Sequence, residues 1–280
     1  MDGVSRVVTR TGLSMPALGQ GTWRMGEDPA RRKDEVSALR LGFDLGLALV
    51  DTAEMYAAGG AEEVVAEAIR GRREEVVVVS KVLPQNASRR GTVEACERSL
   101  ARLRTDRVDL YLLHWPSTHP IEGTLAAFES LVEAGKILHY GVSNFDTEDM
   151  ERFERARGGN RVATNQVLYG LAHRGPERKL LRWCVERGVA LMAYSPFDKG
   201  ALRRGAALAA VARRLGATPL QVALAWTVRL GGVVAIPKSW DSAHVRENAL
   251  AASVRLGPED LAEIEREHPA PDRDVPLETA

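Results

Sequence analysis

The chain has 280 residues, 45% of them hydrophobic, so it can bury a large core as one barrel-sized domain or as two smaller ones. Its 38 basic residues balance 38 acidic ones, which argues against a nucleic acid or an anionic membrane surface as partner. No apolar run approaches the roughly 20 residues that span a bilayer, and the N-terminus lacks the apolar core of a secretion signal, so we expect a cytoplasmic protein.

Eight short apolar runs recur along the chain, separated by loops and stretches with helical periodicity. Runs such as VVVV do not alternate between polar and apolar positions, which is typical of parallel strands buried on both faces. In chain order the runs are PALGQGTW, LALVDTA, VVVVSKV, VDLYLLH, LHYGVSN, VATNQV, VALMAYSP and VVAIPK. Eight repeats of strand and helix favour an α/β fold closed into a (β/α)8 TIM barrel, with an open, doubly wound sheet as the main alternative.

Further elements are predicted at the two ends of the chain. Residues 6–18, RVVTRTGLSMPAL, carry a turn signal between two apolar pieces and predict a β-hairpin at the barrel bottom. Residues 201–216 predict an extra helix in the C-terminal part, and the tail from residue 269 is rich in proline and polar residues and predicts an irregular segment. No low-complexity linker divides the chain, so residues 1–280 are interpreted as one domain.

The two cysteines, Cys96 and Cys184, are far apart, and each lies in a helical pattern. Neither belongs to a CxxC motif. We therefore expect packed helix residues and not a disulfide, a nucleophile or a metal ligand.

Each predicted strand ends in side chains that can do chemistry. Because the C-terminal strand ends of a barrel face one shared cleft, these side chains are expected to meet there. In chain order the strand ends are Trp23, Asp51, Lys81, His114, Ser143-Asn144, Gln166, Tyr194-Ser195 and Lys238-Ser239. Each residue alone has an ordinary structural interpretation, as a helix cap, a solvated strand end or a core histidine, but together they predict a functional site.

Four residues predict a specific chemistry. A tyrosine hydroxyl such as that of Tyr56 is a poor acid because its reference pKa is about 10, and a nearby cation lowers this pKa. Lys81 can be that cation, with Asp51 beside it to orient the ammonium and compensate its burial. His114 can hydrogen-bond a substrate oxygen and polarise it. The four residues therefore predict a general acid aimed at an oxygen that gains negative charge, as in carbonyl reduction.

The motifs DTAEMY, VVSK, LLHWP, GVSNF, NQVLY, AYSPF and IPKS, in this order and spacing, resemble those of the aldo-keto reductases. The resemblance extends from GQGTWRMG to HVRENALAA, and the size and tail are most similar to compact bacterial members, some of which reduce small dicarbonyls such as methylglyoxal. It implies a (β/α)8 barrel that uses NADPH, or less often NADH, without metal or flavin. It also implies that Tyr56 is the proton donor, that Lys81 and Asp51 tune it, and that His114 orients the carbonyl.

The resemblance further implies a set of cofactor-binding residues. By role, this set comprises Ser143, Asn144 and Gln166 for the nicotinamide carboxamide; Tyr194 for stacking on the nicotinamide; Ser195, Pro196 and Phe197 for a loop over the pyrophosphate; Lys238 and Ser239 for the adenosine 2′-phosphate; Glu247 and Asn248 for adenine; and Gly21, Thr22, Trp23, Asp51, Ile236 and His244 as further contacts.

One position departs from the family pattern. Many NADPH-preferring members have an arginine about six positions after the lysine of IPKS, where this chain has His244, with Arg246 two positions further on. An arginine is permanently charged and grips phosphate with a fork of donors, whereas a histidine can stack but is only partly charged near neutral pH. NADPH is still the expected cofactor because Lys238 and Ser239 are present, with NADH as the alternative.

The substrate is predicted from the residues around the cleft. Trp23, Met55 and Trp115 are expected to form apolar walls, with Tyr56 and His114 as the convergent polar groups. The loop after Trp115 is short and the tail is poor in aromatic residues, so we expect an open site for small aldehydes, ketones or dicarbonyls.

Two other functions stay open on the sequence alone. One is an NAD-dependent sugar or polyol alcohol dehydrogenase, and the other is a nucleotide-binding sensor without catalysis. The low aromatic content, 5%, gives no hint of a large oligomer interface, so a monomer is expected.

Overall fold

The computed structural model describes residues 4–279 except 199, 201, 203 and 204. Two short strands form an antiparallel hairpin, and eight parallel strands form a second sheet in which each strand pairs with the next along the chain. The strands are β1 (Arg6–Val8), β2 (Ser14–Pro16), β3 (Gln20–Gly21), β4 (Leu49–Asp51), β5 (Val77–Val82), β6 (Val108–Leu113), β7 (Ile137–Ser143), β8 (Thr164–Leu168), β9 (Ala190–Tyr194) and β10 (Val233–Ala235).

The eight-stranded sheet closes on itself. Parallel bridges join Leu18 to Ala235 and Gly21 to Lys238, so the first strand of the sheet meets the last. The approach is close: a Cβ on Gly21 would lie 2.9 Å from the carbonyl oxygen of Ile236, so a larger residue would push the two backbones apart. The predicted (β/α)8 barrel is confirmed, and the open-sheet alternative is wrong.

Helices follow the barrel strands in turn. The helices are α1 (Arg32–Asp44), α2 (Gly60–Ala68), α3 (Arg89–Leu103), α4 (Ile121–Glu133), α5 (Thr147–Arg155), α6 (Leu180–Glu186), α7 (Ala206–Leu215), α8 (Pro219–Thr227), α9 (Ser242–Leu250) and α10 (Pro258–Glu267). The first six follow β3 to β8, and α8 and α9 follow β9 and β10. Helices α7 and α10 are additional, as predicted for the C-terminal part of the chain.

Local sequence explains where several helices begin. The Ser88 side chain accepts a hydrogen bond from the first turn of α3. Thr218 and Gln221 form a reciprocal capping box at the start of α8, where Pro219 occupies the first helical position and needs no hydrogen-bond partner. Each cap sets the point at which the loop before the helix ends.

The N-terminal hairpin fills the bottom of the barrel, as predicted. Leu13 and Met15 are buried against side chains that point into the barrel interior, among them Leu49 and Met192. The backbone N–H of Arg10 donates to the carbonyl of Gly188, just before β9 begins. The N-terminal strand ends are thereby covered, which leaves the opposite end for a site.

Two further expectations can be compared with the fold. Cys96 and Cys184 are buried free thiols, and burial raises the pKa of each to about 12, as expected for packed cysteines. No helix in the described part of the chain is long and apolar enough to cross a bilayer.

Candidate active site

A cavity of about 930 Å³ lies at the C-terminal strand ends of the barrel. Seven of the eight predicted strand ends contribute at least one residue to its lining, and the eighth, Lys81, lies fully buried beneath it. The cavity is lined by Gly21, Thr22, Trp23, Arg24, Asp51, Met55, Tyr56, His114, Trp115, Pro116, Ser143, Asn144, Gln166, Tyr194, Ser195, Ile236, Lys238 and Thr279.

Lys81 is the centre of a buried polar cluster beneath this cavity. Its ammonium donates to the Asp51 carboxylate at 2.8 Å, to the backbone carbonyl of Thr52 at 2.8 Å and to the Tyr56 hydroxyl at 3.1 Å. The strand register brings these groups together: Asp51 pairs with Val79, and Lys81 lies two residues further along β5, so its side chain emerges on the same face. Three acceptors thus satisfy the three donors of one fully buried ammonium group.

The pKa of the Tyr56 hydroxyl is raised above its ordinary value. Burial is the main cause; the Lys81 ammonium pulls the pKa down, as the sequence predicted, and the Asp51 carboxylate pushes it up. The expected lowering by Lys81 is therefore present but is not the net effect. Tyr56 holds its proton at neutral pH, which is the state that a proton donor requires.

The other two members of the cluster form a coupled ion pair. Burial raises the pKa of the Asp51 carboxyl, while Lys81 and a hydrogen bond from Gln166 at 2.7 Å oppose this shift. Burial also disfavours the Lys81 ammonium, but Asp51 and Tyr56 outweigh it, so the pKa of Lys81 is raised. The lysine is thus held as a cation against the phenol.

His114 is neutral. Burial, helped by the charge of Lys81, lowers its pKa to about 2. Its ring lies edge-on to Tyr56 with the ring centroids 5.7 Å apart, and its Nδ1 is buried with no hydrogen-bond partner among the described residues. A neutral imidazole that lines the cavity beside the phenol can donate a hydrogen bond to a substrate oxygen.

A hydrogen-bonded row of polar groups forms the far wall. Asn144 donates to the His114 backbone carbonyl at 3.1 Å and to the Ser143 hydroxyl at 3.2 Å, and it accepts from the Tyr194 hydroxyl at 2.9 Å. Asn144 and Ser195 both have positive φ, near 59° and 51°, an uncommon conformation for residues other than glycine. Backbone of this kind recurs at binding sites, where the surrounding contacts hold it in place.

The predicted substrate residues also meet at the cavity. Trp23 packs edge-on to Tyr56 with the ring centroids 4.9 Å apart. The ring centroids of Trp115 and His114 are also 4.9 Å apart. The Trp23 side chain is half exposed, and Met55 completes the apolar wall.

The structure does not bring every predicted residue to the cavity wall. The described lining leaves out Pro196, Phe197, Ser239, His244, Glu247 and Asn248. The Glu247 carboxylate accepts a hydrogen bond from Thr218 at 2.5 Å and so is tied to the start of α8. The cofactor roles of these six residues stay predictions.

Three lining residues were not predicted. Arg24 and Pro116 directly follow Trp23 and Trp115 and lie within the motifs GQGTWRMG and LLHWP, but neither was given a role. Thr279 had no such signal, because the tail was expected only to be irregular. It reaches the cavity because Leu277 packs against the core and the Glu278 carboxylate lies 2.7 Å from His173 Nδ1. The site is therefore less open than the sequence suggested.

The wall fits an anionic dinucleotide such as the one that the sequence predicts. At Lys238 a half-buried ammonium faces the cavity, and among the described residues no carboxylate pairs with it. The amide and hydroxyl groups of Asn144 and Ser143 supply neutral donors and acceptors beside the polar cluster around Lys81. Cations with neutral hydrogen-bonding groups are the donor set that phosphates and a carboxamide require.

Comparisons with known proteins agree with this site. Residues 17–267 match the sequence profile of the Aldo/keto reductase family. The Methylglyoxal reductase YeaE of Escherichia coli K12 is 51% identical over 264 residues, which cover 92% of this chain and 93% of that protein. The Methylglyoxal reductase DkgB of Escherichia coli O157:H7 is 31% identical over 255 residues, which cover 90% of this chain and 92% of that protein. A crystal structure of an aldo/keto reductase from Klebsiella pneumoniae in complex with NADP and acetate is 47% identical, with a TM-score of 0.96 over 98% of this chain and 99% of that one.

Proposed function

Because the chain belongs to the aldo/keto reductase family, it is an NAD(P)H-dependent reductase of carbonyl compounds, and we propose that its substrates are small aldehydes and α-dicarbonyls such as methylglyoxal. The expected cofactor is NADPH, the form bound in a second Klebsiella pneumoniae structure that is 47% identical. The apolar walls formed by Trp23, Met55 and Trp115 support a small substrate.

The catalytic assignment depends mainly on one observation. The Lys81 ammonium contacts both the Asp51 carboxylate and the Tyr56 hydroxyl, beside a neutral His114. This arrangement holds a protonated phenol next to a fixed cation at the wall of the cavity. Such a pair can release a proton and stabilise the phenolate that remains.

Each residue has a separate role around the carbonyl group. NADPH, when bound in the cavity, would supply the hydride that adds to the carbonyl carbon. Tyr56 gives its hydroxyl proton to the carbonyl oxygen, which takes up the electron pair of the C=O π bond and becomes an alcohol. Lys81 stabilises the Tyr56 phenolate, and Asp51 keeps the ammonium oriented. His114 donates from Nε2 to the same oxygen; we infer this tautomer because Nδ1 meets no acceptor among the described residues.

Replacing Tyr56 by phenylalanine tests the assignment. We expect Tyr56→Phe to lose most of the NADPH-dependent turnover of methylglyoxal while it retains NADPH binding, because only the proton donor is removed. The loss of NADPH absorbance measures turnover, and calorimetry measures binding. Tyr111→Phe is a matched control, since Tyr111 is buried in the core outside the cavity lining. Unchanged turnover in Tyr56→Phe would exclude Tyr56 as the acid.

A substrate panel tests the chemical class. Methylglyoxal, phenylglyoxal, simple aldehydes, ketones and aldoses are compared with NADPH and NADH, and alcohols and polyols are tested with the oxidised cofactors. We expect the dicarbonyls with NADPH to be fastest. Faster polyol oxidation with NAD⁺ would favour the polyol dehydrogenase instead, and cofactor binding without any turnover would favour the nucleotide sensor.

We also propose that residues 1–280 form one domain and that the protein is a cytoplasmic monomer. The balanced charge and low aromatic content support this state. Sedimentation of the purified protein at several concentrations measures the mass, and a mass that grows with concentration would contradict the monomer.

A further inference from the structure

Two cations share one exposed aromatic ring near the cavity. Trp240 lies in the loop between β10 and α9, two residues after Lys238. The Lys238 ammonium lies 3.2 Å from the centroid of the Trp240 ring, and the Arg31 guanidinium carbon lies 4.6 Å from it. Both distances fall within the range of cation–π attraction. An arginine from the loop before α1 and a lysine from the other end of the barrel sequence thus contact the same ring.

The position of Arg31 is set by its own loop. Arg31 is the last residue of the short helical turn Pro29–Arg31, and Asp28 is the N-cap of this turn. The Asp28 side chain accepts a hydrogen bond from the Ala30 backbone at 2.9 Å, and it also lies 3.4 Å from the Arg31 guanidinium. About half of the Arg31 side chain is exposed.

Charges of both signs surround Lys238. The pKa of Lys238 is lowered to about 8, mainly by burial and further by the positive charges of Arg24 and Arg31, while Glu35 and Glu27 oppose the shift. Glu27 pairs with Arg24 at 3.2 Å, and Glu35 accepts from a backbone N–H at 2.9 Å. The like-charge repulsion among the cations would be relieved by a bound anion.

The start of α9 does not offer an alternative position for this anion. The Asp241 carboxylate caps the helix and accepts hydrogen bonds from the backbone N–H groups of Ala243 and His244 at 2.7 and 3.1 Å. Ser239 is turned towards the Asp241 backbone. A negative group already occupies the donors of the helix N-terminus, so an incoming phosphate is directed towards the cations on Trp240.

We propose that Arg31, held against Trp240, binds the 2′-phosphate of NADPH together with Lys238 and thereby selects NADPH over NADH. This inference rests on the proposed function and adds to it. The family pattern expects an arginine where this chain has His244; here a second element of the barrel supplies the permanently charged, forked donor instead. Trp240 acts as a positioning residue that keeps Arg31 beside Lys238.

Binding measurements with the oxidised cofactors test the role of Arg31 without depending on turnover. Calorimetry gives the dissociation constants of NADP⁺ and NAD⁺ for the wild type and for Arg31→Gln. We expect Arg31→Gln to weaken the binding of NADP⁺ roughly tenfold, which is the order expected for one charge-assisted hydrogen bond. The binding of NAD⁺ should be unchanged. Adenosine 2′-monophosphate lacks the pyrophosphate and the nicotinamide, and its binding should weaken in parallel with that of NADP⁺.

Three further variants separate the local contact from a general charge effect. Lys33→Gln removes the same charge two residues away, on an exposed side chain, and should leave NADP⁺ binding unchanged. Trp240→Leu should resemble Arg31→Gln because the supporting ring is lost. Trp240→Phe keeps a ring and should retain most of the discrimination between NADP⁺ and NAD⁺.

The possible outcomes distinguish this inference from the proposed function. Equal weakening of NADP⁺ and NAD⁺ in Arg31→Gln, equal effects of Arg31→Gln and Lys33→Gln, or no effect of Arg31→Gln would each overturn the role of Arg31. A wild type that binds both cofactors equally would also overturn it while leaving carbonyl reduction intact. A wild type that binds neither cofactor would instead overturn the proposed function.

Discussion

Lys81 places a full positive charge in the barrel interior. The stability of the folded protein therefore depends on Asp51, which compensates this charge. Because the ammonium is fully buried, its carboxylate partner cannot be replaced by water. We expect Asp51→Asn to lower the free energy of unfolding by about 3 kcal/mol, since an uncompensated buried charge remains. Urea unfolding measures this loss. Asp44→Asn, at an exposed pair with Arg72, is the control and should cost less than about 1 kcal/mol; similar losses in both variants would contradict the coupling.

His114 gives the protein a pH dependence of known sign. Its folded pKa, about 2, lies far below the unfolded value of about 6.5, so below pH 6.5 the unfolded chain takes up a proton that the folded chain refuses. Stability contributed by the neutral ring is therefore full above pH 6.5 and is lost as the pH falls. Between about pH 7 and pH 5 we expect the wild type to lose about 2 kcal/mol more than His114→Gln in urea unfolding. His119→Gln, at a partly exposed histidine, should behave as the wild type; the same pH slope in wild type and His114→Gln would contradict the buried neutral state.

The catalytic candidates were predictable because each is tied to a strand end. Asp51, Lys81 and His114 end regular apolar runs, and the barrel rule brings such ends together. Arg31 and Trp240 were not predictable in this way. They meet only after the barrel closes and α1 comes beside α9, and nothing in either local sequence indicates the other.

At the scale of elements, the C-terminal tail is an unexpected part of the site. We expect removal of residues 278–280 to raise kcat/KM for phenylglyoxal relative to methylglyoxal several-fold, because Thr279 no longer bounds the cavity. Steady-state kinetics with both substrates measures the ratio. Lys179→Gln, which removes an ion pair of the tail at Asp274, is the control and should leave the ratio unchanged. A truncated protein with the wild-type ratio would show that the tail does not limit substrate size.

The elements themselves followed from periodicity, and their ends did not. The run PALGQGTW was predicted as one strand, yet the barrel strand within it is only Gln20–Gly21, with an isolated bridge at Leu18. The extra helix predicted over 201–216 is observed as Ala206–Leu215, after Gly205 in extended conformation. Such limits depend on caps and on neighbouring strands, which a hydrophobic pattern does not encode.

For the whole molecule, the cofactor should act as a stabilising ligand. At roughly 100 times its dissociation constant, NADP⁺ is expected to raise the free energy of unfolding by about 2.7 kcal/mol, and NAD⁺ at the same concentration by less. Urea or thermal unfolding with and without each cofactor measures the difference, and a single cooperative transition is expected for one domain. In Arg31→Gln the advantage of NADP⁺ over NAD⁺ should shrink; an equal shift by both cofactors in the wild type would contradict the predicted preference.

The hairpin at the barrel bottom affects how ligands enter and leave the barrel. Leu13 and Met15 fill one end of the barrel, and the cavity lies at the opposite end, so we expect substrate, product and cofactor to enter and leave there. Ligands that enter from the same end of the barrel cannot pass one another. We expect the ligand that lies deeper in the cavity to bind first and leave last, which makes the order of binding and release a part of the catalytic cycle.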